Sequence, residues 1–122
     1  MKSVRVALAL LVITLCAVIA NSIVLRHTFD AITDKVEKTD DSDISAAHEQ
    51  YTKIFDEFKE KEWFISFTVN HEDLTNVEDA LSEIIGATKA GDIDAVITIK
   101  SRLTNSLEHL SRLSGINIES IF

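Results

Sequence analysis

The sequence predicts an all-α protein: an N-terminal transmembrane helix followed by a small helical bundle built on an antiparallel helical hairpin. Three observations carry this. The chain has no proline and only three glycines in 122 residues, so little interrupts a helix. Val6 to Leu25 run without one charged residue. Beyond them, apolar residues recur three or four positions apart, as on helices that bury one face.

The first element is the apolar run. Its twenty residues, at about 1.5 Å rise each, make a helix of about 30 Å, the thickness of a bilayer's hydrocarbon core. A secretory signal is the competing reading, with Lys2 and Arg5 as its basic start and Val18-Ile19-Ala20 as a cleavage site ahead of Asn21. The apolar core is long for a signal, and hydrophobicity resumes at Ile23, Val24 and Leu25 before Arg26 closes it. The expectation is therefore an uncleaved signal-anchor spanning from Val6 to Leu25, with secretion after cleavage following Ala20 as the alternative. Cys16 follows Leu15, whereas a lipidated cysteine needs a small residue ahead of it, so it reads as an apolar residue of the span. Lys2 and Arg5 place the N-terminus in the cytoplasm and the body outside.

Phe29, Ile32 and Val36 continue the helical spacing outward, to a stop near Asp40-Asp41-Ser42-Asp43, whose short polar side chains favour a new helix start. Ile44, Ala47, Tyr51, Ile54, Phe55 and Phe58 mark one face of the next helix. The stretch Trp63 to Val69 alternates like a strand but has no partner strand, so it is read as helix up to a break at Asn70. Asn70 caps a helix with Glu72 and Asp73 in its first turn and Leu74, Val77, Leu81, Ile84, Ile85 and Thr88 as its stripe. Lys89-Ala90-Gly91 ends it, and Asp92 caps the following helix at once. That last stripe is Ile93, Val96, Ile97, Leu103, Leu107 and Leu110, up to Gly115. So short a connection makes 71–90 and 92–114 an antiparallel hairpin. The domain organisation is an anchor over 1–26, a helical extension and linker over 27–42, and an acidic extracytoplasmic bundle over 43–122.

Charge narrows the partners. The net charge is −8; Lys2, Arg5 and Arg26 lie in the first 26 residues with no acid, which leaves nine of the 12 bases against all 20 acids beyond them. The body thus carries −11, which repels phosphate backbones and makes nucleic acid a poor partner. It contains no cysteine, so no disulfide supports it.

Chemistry-bearing residues are sparse. The antiparallel hairpin lets His71, Glu72, Asp73 and Glu78 face Glu108 and His109, a plausible set of ligands for zinc or iron, yet no His-Glu-x-x-His or Glu-x-x-His spacing supports it. No metal and no cofactor are expected. No glycine-rich elbow surrounds any serine, and no catalytic residue is assigned. Of the aromatic group, Trp63 and Phe64 lie off the main stripe; with Phe67, and with Ile118 and Phe122 of the apolar tail, they are the candidate interaction residues.

Trp63, then His71-Glu72-Asp73-Leu74, an Ile/Leu-rich hairpin turning at Ala90-Gly91-Asp92, then Glu108-His109-Leu110 and an Ile116-Asn117-Ile118 ending resemble a small family of single-span proteins from endospore-forming Firmicutes, the domain-of-unknown-function family numbered 4363. The resemblance covers the whole layout and is specific over residues 60–122. It implies a membrane-anchored helical protein and brings no activity, cofactor or catalytic residue with it.

The function expected is that of a non-enzymatic accessory protein of the cytoplasmic membrane. The bilayer holds residues 6–25, and the bundle binds a membrane or envelope protein or itself. The alternatives are a small-ligand sensor module and a metal binder at the His71/His109 end.

Overall fold

The computed structural model describes the backbone of residues 1–121 and the side chains of residues 1–114. The protein is all-α. Among the described residues four helices follow one another: α1 Lys2–Lys38, α2 Ile44–Ile65, α3 His71–Ala90 and α4 Ile93–Ile121.

The helix ends follow from local chemistry. Asp40 folds the α1–α2 turn by accepting from both the backbone N–H and the hydroxyl of Ser42, and Asp43 caps α2 by accepting from the Ala46 N–H. Asn70 caps α3 through the Glu72 N–H, with Glu72 and Asp73 in the first turn. Gly91 takes the left-handed conformation at φ 72°, and the N–H groups of Gly91 and Asp92 return to the carbonyls of Thr88 and Ala87. Asp92 then accepts from the Ala95 N–H and starts α4.

α1 is one unbroken helix of 37 residues, about 55 Å long. Its first half is naked: Val6, Leu8, Leu10, Leu11, Val12 and Ile13 are all more than half exposed. Its second half is core, with Leu25, Phe29, Ile32 and Val36 between 0% and 3% exposed. Residues 27–38, expected as an extension, thus form one wall of a four-helix bundle. α1 packs on α4, α4 on α3, α3 on α2, and α2 closes more lightly on α1. Each helix runs antiparallel to the next, as the pairs Asn21–Thr68, His48–Thr88, Arg102–Glu83 and Lys100–Thr39 show. The core is completed by Ala47, Tyr51, Ile54, Phe58 and Ile65 of α2, Leu74, Val77, Leu81 and Ile84 of α3, and Val96, Leu103, Leu107 and Leu110 of α4. Each large member contributes about 1.5–3 kcal/mol of apolar burial.

Three details depart from expectation. α2 ends at Ile65 rather than Val69, because the run of β-branched and aromatic residues that follows is poor in helix formers. Its chain leaves through a tight turn in which the N–H groups of Ser66, Phe67, Thr68 and Val69 all bond to carbonyls of residues 62–65. α4 continues through Gly115 to Ile121; a helical glycine costs about 1 kcal/mol against alanine but does not by itself end a helix. Ile93 and Ile97 are 53% and 58% exposed, since the apolar side of α4 turns to the core through Val96, half-buried Ile99 and Leu103 instead.

Candidate functional site

The bundle has two unlike ends, and α1 decides which faces the apolar segment. The far end gathers the α1–α2 and α3–α4 turns. The near end gathers the middle of α1, the α2–α3 turn and the later part of α4. Here Leu25, Thr68, Val69, Asn70, Leu110 and Ser114 are among the residues lining a cleft of about 320 Å³. Asn21 Nδ2 donates to Thr68 Oγ1 at 3.3 Å, which fixes the α2–α3 turn beside α1. Small polar side chains fill the adjoining α1–α4 seam: Ser22, Thr28, Ser111 and Ser114 are buried. Three of the hydroxyls donate within the seam, Thr28 to the Val24 carbonyl, Ser114 to the Leu110 carbonyl and Ser111 to the Asp30 carboxylate.

The aromatic residues divide sharply. Tyr51 and Phe58 are fully buried, and Phe55 and Phe64 are half-buried against the core. Trp63 and Phe67 are 71% and 79% exposed, at the near end. Trp63 meets Phe64 edge to face, with centroids 5.7 Å apart and planes at 73°, so the half-buried ring supports the exposed one. Trp63 and Phe64 therefore form an apolar edge, and Phe67 is exposed in the turn that follows it. The side chains of Ile118 and Phe122, the other candidates, lie outside the described residues.

Leu25, expected as the outer bound of a span, is a core residue. Val6 is 58% exposed. His71, Glu72, Glu108 and His109 are all exposed. Among the described residues no group of three or more His, Cys, Asp or Glu is placed to hold a metal ion, so these four do not converge into one. Cys16 is free and exposed on the naked half of α1.

Two polar clusters were not legible in the sequence. At the far end Tyr51, Asp41, Lys100 and the Thr39 carbonyl form a knot. Burial and the hydrogen bond to Asp41 push the Tyr51 hydroxyl above its ordinary value. Between α2 and α3, Glu62 and Glu78 share a hydrogen bond, which raises the carboxyl of Glu78 and lowers that of Glu62. Lys59 pairs with Glu62 at 2.8 Å and Glu78 at 3.4 Å. Only Lys59–Glu62 has a spacing within one helix that sequence could signal; the other pairs join different segments of the chain. Both clusters lock helices to one another, and neither faces the near-end cleft.

The chain matches no family model, no curated protein and no solved structure. What remains for a functional argument is the geometry: a helix long and apolar enough to cross a membrane, continuous with a packed bundle that displays an aromatic edge where the two meet.

Proposed function

We propose that this chain is a membrane-anchored, non-enzymatic accessory protein whose bundle stands outside the cytoplasmic membrane and binds a membrane or envelope partner, or a second copy of itself. The observation that carries the reading is α1. The apolar window of α1 is only 11% buried, unlike a core helix of a water-soluble fold, yet the same helix becomes the wall of the bundle without a break. Anchor and body are one mechanical unit, so the body is held at a set height and orientation. Membership of the family numbered 4363, with its endospore-forming hosts, belongs to this proposal and rests on the sequence resemblance.

A second reading has an observation of its own. The buried part of α1 begins at Ser22, directly after the Ala20-Asn21 bond where a signal would be cut, so a secreted chain would keep the whole core. Intact mass and N-terminal sequence decide between them. A chain starting at Met1 in alkali-washed membranes supports the anchored protein. A chain starting at Asn21 in the medium overturns it in favour of a secreted helical binding protein. For the partner, a photo-crosslinking residue at Ile97, exposed at the far end, should capture a discrete neighbour or a dimer in cells; monomer alone would remove the accessory role at that face.

A further inference from the structure

We infer that the α2–α3 turn, with Trp63 and Phe67 at its edge, seats the bundle in the headgroup layer of the bilayer from which α1 emerges. This rests on the anchored reading above and makes lipid, rather than protein, the cover of these two aromatic side chains.

Register along α1 is the starting point. The Asn21–Thr68 hydrogen bond places the turn beside α1 within the uncharged segment Val6 to Leu25, not beyond its end. Asn21 lies about 6 Å below Leu25 along the helix axis. A span with these bounds brings the turn to a depth of the order of the 5–10 Å at which interfacial elements bury their apolar faces. Trp63, on the last turn of α2, sits slightly higher, in the layer where tryptophan concentrates in membrane proteins.

The backbone donors of the turn are also paired internally. The N–H groups of residues 66–69 all have backbone acceptors, and Asn70 caps the next helix with its own side chain. Its donors are thus satisfied without water, which lowers the cost of bringing the turn into the headgroup layer. The surroundings agree. On α1, Ile23 and Val24 are 55% and 51% exposed at the same level, so α1 itself still offers apolar surface to lipid there. Arg26 and His27, exposed just above it, are placed to meet phosphate groups.

The test uses two unique reporters, since Trp63 is the only tryptophan and Cys16 the only cysteine. The full chain is reconstituted in phosphatidylcholine vesicles carrying bromine either high or low on the acyl chains. Trp63 emission should be quenched several-fold more by the shallow bromines than by the deep ones, and only weakly by aqueous acrylamide. In the W63F/F67W variant the reporter moves nearer the level of Asn21, and quenching by the deeper bromines should rise. Free quenching by acrylamide overturns the inference. So does a Trp63 shielded from acrylamide but untouched by bromine, the mark of a protein contact. Cys16 keeps the two ideas apart. If it resists a water-soluble maleimide in vesicles while Trp63 is open to acrylamide, the anchor stands and the seat falls; if Cys16 is labelled, the anchored reading falls and takes the seat with it.

Discussion

Tyr51 donates its hydroxyl to Asp41 at 2.8 Å, and the second oxygen of the same carboxylate receives Lys100 Nζ at 2.9 Å. Lys100 also donates to the Thr39 carbonyl at 2.9 Å. One aspartate in the α1–α2 turn thereby ties α2 to α4 at the far end of the bundle. The side chains of Asp41 and Lys100 are 19% and 21% exposed, so the pair is shielded enough to matter more than an ordinary surface ion pair.

Tyr51→Phe removes a hydrogen bond to a charged acceptor and should destabilise the bundle by about 1.5 kcal/mol, measured by denaturant unfolding in micelles. Combining it with Lys100→Met should be non-additive, because both act on Asp41. The pH dependence has a definite sign. The Tyr51 hydroxyl is raised in the folded state, so its contribution is complete below the ordinary value of 10.0 and is lost as pH rises above it. The Phe variant should lose less stability on passing into that alkaline range.

Glu78 offers a test in the other direction. The hydrogen bond to Glu62, followed by burial, raises its carboxyl above the ordinary 4.5. A raised acid holds its proton more tightly when folded, so the parent loses stability as pH climbs from 4.5 through the raised value. Glu62 is lowered, and its contribution is lost instead as pH falls below the ordinary range. Glu78→Gln keeps an acceptor without the charge. Its melting temperature at neutral pH should equal or exceed the parent's, and the difference should shrink on acidification; a large loss at neutral pH would show that the Lys59 pairing dominates.

Two glycines should respond oppositely to alanine. A side chain at either would meet nothing within 4 Å, so only the backbone speaks. Gly91, at φ 72°, should lose about 1–2 kcal/mol as Gly91→Ala because left-handed backbone crowds a Cβ. Gly86 lies inside α3 and should gain about 0.5–1 kcal/mol as Gly86→Ala. Thermal melts of both in the same micelles check the pair.

The two halves of α1 should separate under mutation. Phe29 is fully buried and Ile13 is 64% exposed. Phe29→Ala should cost about 3–5 kcal/mol, whereas Ile13→Ala should leave bundle unfolding unchanged. Equal effects would mean that the naked half also packs within the bundle.

Much of this architecture was readable from residue order alone. Asn70, Lys89 and Gly91 act within a turn or two of themselves, so the ends of α3 are legible without knowing any neighbour. The spacing of Phe29, Ile32 and Val36 likewise shows that α1 continues past Leu25 with one apolar face. Periodicity does not say what covers that face. Ile65 and Phe67 belong to the same alternating run, yet the first is 0% and the second 79% exposed, because α2 ends between them.

The sequence by itself determined the helices, most of their caps and the length of apolar chain available to a bilayer, since these depend on local backbone chemistry and on transfer of contiguous side chains. Only the tertiary structure decided that Leu25, Phe29, Ile32 and Val36 are core and that Ile93 and Ile97 face outward. It alone placed the α2–α3 turn at the level of Asn21. Those outcomes depend on which helix lies alongside and how far it reaches, and that is settled by the joint packing of four helices rather than by the pattern on any one of them.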